Sequence, residues 1–411
     1  MNKEMRPLKI ALVTTFYPPY NFGGDGIYIK RLALALIARG HYVEVIHDTD
    51  GYLTLAKDKP EIIVEQDDGI VVRRLTGRSA LLSSLGVQQT GRPTTHRNQL
   101  KALLTNRFDV IHYHNISLVG GPGIWAVGTG IKLHTAHEHW LVCPSHTLWK
   151  NGRELCKKKS CISCVIRSGR PPQLWRATGL IERMADNVDV FMTLSQSAAD
   201  NHRRFGFKRP MVVVPSFLLD EASPTYQERQ NRRPYFLFAG RLETIKGLQD
   251  IIPQFVDGIQ ADLLIAGAGE FENELRKMSG GAKNIRFLGR QDMSQLRTLY
   301  RDAIAVLTPS LCYEVFPLVV LEAFREGTPI IARDLGPFPE IIRMSGGGQL
   351  FNDRGSLNQA LTSFSQKPEI ATNMGKKAKA AYLQYWTENV AMEKYFEIIQ
   401  QVEHAKQVKH G

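Results

Sequence analysis

Tyr235-Phe236-Leu237-Phe238-Ala239-Gly240-Arg241-Leu242-Glu243-Thr244-Ile245-Lys246-Gly247 is the stretch from which the architecture is read. Its opening apolar run does not alternate with polar residues, as expected of a strand buried on both faces. Gly240 ends the run, and the loop that follows carries Arg241 and Lys246. The same unit recurs downstream, with strands expected at Ala261–Ala266, Asn284–Leu288, Ala303–Leu307 and Thr328–Ala332 and helical segments between them. Upstream, Lys9–Thr15, Tyr42–His47, Phe108–His112, Ile131–Thr135, Val188–Leu194 and Met211–Val214 read the same way. A helix is expected over Ile27–Arg39, with apolar residues at helical spacing and a stop at Gly40. Strands alternating with helices give an α/β fold of two doubly wound, Rossmann-like halves that face across a cleft, with ligands at the carboxyl ends of the strands.

The expected boundaries are 1–215 for the first domain, 216–234 for a linker, 235–384 for the second domain and 385–411 for a closing segment. Within that last segment an amphipathic helix, Thr387–Gln401, has a plausible cap at Thr387. A basic, cysteine-rich insertion spans 141–175. No repeat of 20–50 residues is present.

The chain has 411 residues, 43% hydrophobic and 22% charged, with a net charge of +12. This is a soluble globular composition. No apolar run of about 18 residues is present, so no membrane span is expected. The N-terminal residues lead directly into a strand-like segment, not a signal peptide, so cytoplasm is the expected compartment. From Lys150 to Arg183 nine lysines and arginines stand against Glu154 and Glu182. A solvated surface is the ordinary reading. The sharper one is a face that meets anionic phospholipid on the inner side of the plasma membrane, or a phosphate-bearing acceptor. No nucleic-acid-reading signature accompanies the charge, so no specific nucleic acid is expected as partner.

Six sets of residues are candidates for chemistry. In Glu314-Val315-Phe316-Pro317-Leu318-Val319-Val320-Leu321-Glu322 two carboxylates lie eight residues apart. Pro317 suits the first position of a helix. Glu314 then lies in the preceding loop and Glu322 about one and a half turns in. Free amides at Leu318 and Val319 open toward an anion such as a diphosphate, and the glutamates flank it as acceptors for hydroxyl groups. Arg241 and Lys246 follow a strand and suit the same diphosphate, Arg as a two-oxygen clamp and Lys as a mobile charge. Gly23-Gly24 precedes a helix and permits close backbone approach, although no G-x-G-x-x-G fingerprint is present. His137 sits just past the strand Ile131–Thr135 and projects toward the cleft. A metal pair with His139 is conceivable, but there is no H-E-x-x-H spacing. Gly267-Ala268-Gly269 leaves room for a flat ring, and Gly289-Arg290 could offer groups to a base edge. Both of these last two are also ordinary strand-to-helix turns, and His137 alone is also an ordinary structural histidine.

Together these residues resemble family-4 glycosyltransferases of the GT-B fold. The likeness runs through Gly23-Gly24, His137, Gly240-Arg241, Lys246-Gly247, Gly267-Ala268-Gly269, Phe287-Leu288-Gly289, Glu314 to Glu322, Ala323, Gly327, and Gly336-Pro337-Phe338-Pro339-Glu340. The ending Tyr385-Trp386-Thr387-Glu388-Asn389-Val390 also looks like the family's, where the last helix crosses back to the first domain. The resemblance implies retaining transfer of a sugar from a nucleotide sugar, with UDP- or GDP-sugars favoured, to a glycan or lipid-linked acceptor of the cell envelope. It implies that Arg241 and Lys246 neutralise the leaving diphosphate and that Glu322 takes the ribose hydroxyls. It further implies that Glu314, His137 and the amides around Phe316, Pro317 and Leu318 hold the donor sugar and phosphate, with Gly23-Gly24 near the phosphates. No cofactor is implied for transfer, because Arg and Lys replace a metal, and no protein general base is assigned. Two departures stand out. Val214-Pro215-Ser216-Phe217 replaces a frequent Asn-Gly, and Val315-Phe316-Pro317 replaces a frequent Gly-Phe-Gly, so Pro317 removes one backbone donor.

Cys143, Cys156, Cys161 and Cys164 cluster in the insertion. In a cytoplasmic chain such a set reads as metal-binding before disulfide, and structural zinc is the sharp reading, with His146 as an alternative ligand. Reduced, partly buried thiols are the plain alternative, and Cys312 reads as a packing residue. The competing functions are another GT-B enzyme, either a sugar-nucleotide epimerase or a phosphorylase, and a non-catalytic module that binds membranes or polyanions through the basic loop.

Overall fold

The computed structural model describes residues 6–56, 60, 69–220 and 233–410. Two compact units emerge. One comprises Met1–Gly152, Cys156–Ser216 and Met392–Gly411, and the other comprises Phe217–Ala391 with Arg153–Leu155. Most of the expected linker, residues 221–232, lies outside the described residues.

The first unit is built on a seven-stranded sheet. Its order is Val71–Leu75, Tyr42–Asp48, Lys9–Thr14, Val110–Tyr113, Ile131–Ala136, Val190–Thr193 and Met211–Val213. Every pairing in it is parallel. Lys9–Thr14 is buried from Ile10 onward, which is why it reads as an unbroken apolar run. The helix after it spans Gly24–Ile37, three residues earlier than its apolar periodicity suggested, because Gly23 in extended conformation serves as the N-cap. Val71–Leu75 was not expected. It is an edge strand whose Arg73 Nε pairs with Glu44 Oε2 at 3.0 Å, so charge hides its pattern.

The second unit has a six-stranded parallel sheet in the order Ile285–Gly289, Asp262–Ala266, Tyr235–Ala239, Val306–Thr308, Ile330–Arg333 and Gly348–Phe351. Alternate residues of the Tyr235–Ala239 strand feed two cores. Phe236 and Phe238 join Phe255, Ile265 and Leu361, while Tyr235 and Leu237 join Leu264, Phe324 and Trp386.

The last helix runs Glu388–His410, longer than expected, and the Val390 amide donates to Thr387 Oγ1 at 3.4 Å. From Met392 it belongs with the first unit. There the Tyr395 hydroxyl meets His112 Nδ1 at 3.2 Å, Phe396 packs on His41, and Lys406 pairs with Asp189 at 2.8 Å.

At the carboxyl ends of the second sheet the loops dock backbone against backbone. A Cβ on Gly267 would lie 1.9 Å from the Gly240 carbonyl oxygen, and one on Gly247 would lie 2.1 Å from the Pro309 carbonyl oxygen. Both residues have positive φ, 143° and 79°. Three neighbouring strand ends are thereby locked together, and with them the loop bearing Arg241 and Lys246. Gly267→Ala is expected to lower the stability of the second unit by about 2–4 kcal/mol. Gly281→Ala, at a positive φ with open space around it, should cost only about 1–2 kcal/mol. Urea unfolding of both variants measures the difference, and equal losses would contradict the docking role.

Candidate active site

In the second unit the strand Tyr235–Ala239 hands the chain to Gly240 and Arg241, and a short 3-10 turn, Thr244–Lys246, delivers Lys246. Lys246 Nζ pairs with Glu314 Oε1 at 2.6 Å, and the Ser310 hydroxyl donates to the same oxygen at 2.8 Å. Burial, the largest influence, works against both charges. The Glu314 charge nonetheless holds Lys246 above the ordinary lysine value, and Lys246, with the Ser310 hydroxyl, holds Glu314 below the carboxylate range. The residue expected at the diphosphate and the residue expected at the donor sugar are therefore one ion pair. Arg241 stands close enough for its charge to act on both, and its own guanidinium meets Glu243 at 2.5 Å while remaining more than half exposed.

Pro317 is the N-cap of the helix Leu318–Glu326, with φ −81° and ψ 115°, so the helix begins one residue later than expected. The Val320 amide bonds to the Pro317 carbonyl at 3.1 Å. Leu318 and Val319 are the leading residues of that helix, where amides have no intrahelical partner. Glu322 is half-buried and accepts from the Tyr300 hydroxyl at 2.7 Å. Phe316 offers only its backbone, because its side chain packs on the core near Trp386. Gly269 was expected to make room for a ring. A Cβ there would lie 2.3 Å from the Leu242 carbonyl oxygen, so packing alone accounts for the glycine. Arg290 is exposed just past the strand Ile285–Gly289.

In the first unit Gly23 caps the helix Gly24–Ile37. Its φ of −154° is open to any residue, and the nearest atom to a Cβ on it is 3.9 Å away. Neither strain nor internal packing explains a glycine here, unlike at Gly267. Asp25, in the first turn, accepts from Asn115 at 3.2 Å, and burial followed by Glu138 raises its pKa. His137 follows the strand Ile131–Ala136, and its Nε2 lies 2.9 Å from His114 Nδ1, with Tyr28 packed on the ring at 4.8 Å. Burial pushes its pKa down to about 3, so the imidazole is neutral at physiological pH. His139 stacks on His202.

Among the described residues, one group of three or more possible metal ligands has its ligand atoms within 4.8 Å of one another: Asp48, Asp50 and His96. It is a buried hydrogen-bonded lock. Asp48 accepts the Asp50 amide at 2.9 Å, capping the helix Thr49–Leu55, and His96 Nε2 meets Asp50 at 3.0 Å. His137 and His139 are not part of it. The four cysteines of the insertion line a single small cavity, and His146, the alternative ligand, has its Nδ1 turned to Glu138 at 2.7 Å.

Ser310, Tyr300, His114 and Asp25 escaped the sequence reading. Ser310 and Tyr300 act through residues that were singled out. His114 meets His137 only because Val110–Tyr113 and Ile131–Ala136 are sheet neighbours, and strand order is not written in a local pattern.

The family model described as glycosyltransferase family 4 matches residues 22–218, and that described as glycosyl transferases group 1 matches residues 221–381. An uncharacterized glycosyltransferase of Methanocaldococcus jannaschii is 25% identical over 94% of this chain and 96% of its own. A phosphatidyl-myo-inositol mannosyltransferase of Mycobacterium leprae is 27% identical over 84% of this chain and 85% of its own. Among solved structures, Anabaena HepE in complex with UDP and glucose shares the fold, with a TM-score of 0.68 at 17% identity, covering 96% of this chain and 100% of its own.

Burial also lowers the pKa of His112, His114, His134, His139 and His202 in the first unit. A histidine depressed in the folded state binds its proton more readily when unfolded, so stability is full above the ordinary value of 6.5 and falls as pH drops toward the folded value, about 3 for His137. The first unit should therefore lose stability steeply between pH 6.5 and 3, and His137→Gln should flatten that slope. Urea unfolding across this range measures it, and an unchanged slope in the variant would contradict neutral burial of His137.

Proposed function

The chain belongs to the family-4 glycosyltransferases, and on that premise we propose that it transfers a sugar with retention, without a metal at the leaving group, from a nucleotide sugar to an anionic or lipid-linked acceptor of the cell envelope. One observation carries the donor half of this reading. Arg241, Lys246 and Glu314 are gathered at the carboxyl ends of the second sheet, beside the mouth of the helix Leu318–Glu326.

Cleaving a glycosyl–phosphate bond builds negative charge on the diphosphate and positive charge on the sugar. Lys246 and Arg241, with the leading amides of the helix, face the first, and the Glu314 carboxylate supports the second and accepts sugar hydroxyls. When a diphosphate arrives, Lys246 can share its protons between phosphate and Glu314, and Arg241 can exchange Glu243 for phosphate oxygens. Glu322, steadied by Tyr300, suits ribose hydroxyls. His137, neutral and fixed by His114, serves as a hydrogen-bonding group and not as a cation. Gly23, which nothing inside the protein requires, suits close approach of a phosphate. UDP- and GDP-sugars are the favoured donors. HepE, whose structure holds UDP and glucose, supports the first.

The acceptor reading rests on the first unit's surface. Leu81, Leu82, Ile162, Ile166 and Leu174 are exposed, and the helix Ala80–Thr90 is tied to the basic insertion by bonds of Gln88 to Pro171 at 2.8 Å and of Trp175 to Gln88 at 2.9 Å. Exposed apolar side chains among lysines and arginines suit the interface of an anionic membrane. Among the described residues no helix is long and apolar enough to cross a membrane, so contact would be peripheral.

A thermal-shift panel of UDP-, GDP- and ADP-sugars should single out one donor, because ligand binding stabilises by mass action. Arg241→Ala and Lys246→Ala should each lower transfer or donor hydrolysis by roughly a hundredfold or more. Near-normal turnover in both variants would contradict the donor assignment.

A further inference from the structure

We propose that Cys143, Cys156, Cys161 and Cys164 bind one zinc ion as four thiolates, a structural centre that pins the basic insertion to the first unit. Cys143 and Cys156 come from separate loops, Cys161 and Cys164 from one helix, and all four meet around one cavity of about 20 Å³. That is the room of a single water-sized occupant. The wall between the sulfurs is mainly packing surface, including Pro144, Trp149 and Val165. Cys161 and Cys164 reach it from one face of the helix Cys161–Arg167, being three residues apart.

The backbone is already arranged for sulfur anions. The Asn151 amide donates to Cys164 Sγ at 3.2 Å, and the Ser145 and Leu148 amides point at Cys143. Tight turns aim these amides: His146, Leu148 and Asn151 are non-glycine residues at φ of 72°, 53° and 54°. Such φ values are unfavourable for side-chain-bearing residues and persist where something else fixes the loop.

Charge is a second, independent pointer. The Arg176 guanidinium is wedged between the Trp140 and Trp175 rings at 4.7 and 4.8 Å, and its Nη2 is buried without a hydrogen-bond partner. Arginine stays charged. The groups able to carry negative charge that act on it are Cys143, Cys161 and Glu138. As neutral thiols the cysteines leave this buried cation poorly compensated. Four thiolates on Zn²⁺ carry a net charge of −2 and balance it, together with nearby Lys150 and Lys159, which act on Cys156. Binding replaces four S–H bonds by four Zn–S bonds and releases four protons to solvent. The Zn–S length of about 2.3 Å places sulfurs about 3.8 Å apart. The thiols lie farther apart than that, since no three of their sulfurs are all within 4.8 Å of one another. Zinc would thus draw the loop inward.

None of the four cysteines is among the donor residues, so the test reads metal content and does not depend on transfer activity. The full chain, expressed with zinc supplied, should carry about one equivalent of zinc by mass-spectrometric metal analysis. Thiol-directed mercurial should release that zinc into a colorimetric indicator. Cys161→Ser and Cys164→Ser should lose it, while Cys312→Ser, a buried thiol in the second unit, should keep it. Circular dichroism confirms that each variant is folded. If Cys161→Ser proves insoluble, cobalt loading of the unaltered chain gives the same answer through its thiolate charge-transfer absorption. Zinc below about a tenth of an equivalent in folded protein, zinc fully retained in both serine variants, or two disulfides in the peptide map would each overturn the proposal.

Discussion

The Lys246–Glu314 ion pair is the contact on which the donor site proposed for the second unit depends. Both side chains are about four-fifths withdrawn from water, with 22% and 18% of their surface exposed. A charge so placed is tolerable only with its partner, and removing one partner from a buried pair costs about 3–5 kcal/mol. The pair therefore holds the loop after one strand to the loop before the helix Leu318–Glu326. It also stores a positive charge next to a carboxylate, in surroundings where an arriving anion is felt strongly.

Parallel topology makes that arrangement available. Every strand in the second sheet ends on the same side, so its loops crowd together. Gly267 and Gly247 relieve the crowding by letting backbone touch backbone. The same logic separates two kinds of glycine that look alike in sequence. Gly269 and Gly267 are explained by internal contacts, whereas Gly23 is free of them and keeps its claim as a place where a ligand could approach.

Much of this was legible beforehand. Strands buried on both faces, such as Lys9–Thr14 and Tyr235–Ala239, announce themselves as continuous apolar runs, and their ends fell within a residue or two of the reading. Two of the four edge strands of the large sheets did not. Val71–Leu75 carries paired arginines, and Gly348–Phe351 follows two glycines that read as a turn. Site residues on loops directly after central strands were found because position and charge agree there. Their partners were not. Tyr300 and His114 depend on which elements become neighbours, a property of strand order and helix packing that no local window contains, whereas Ser310 lies only four residues before Glu314 and has no charge to mark it. The placement of Pro317 as cap and not as first helical residue is a shift of one position, yet it leaves the amides of Leu318 and Val319 at the helix mouth.

A crystal structure with the nucleoside diphosphate that stabilises the chain most tests the central claim directly. The account predicts diphosphate oxygens within hydrogen-bonding distance of the Arg241 guanidinium and the Lys246 ammonium group, with the ribose on Glu322. A nucleotide bound with its diphosphate remote from both cations, and the Lys246–Glu314 pair untouched, would contradict it.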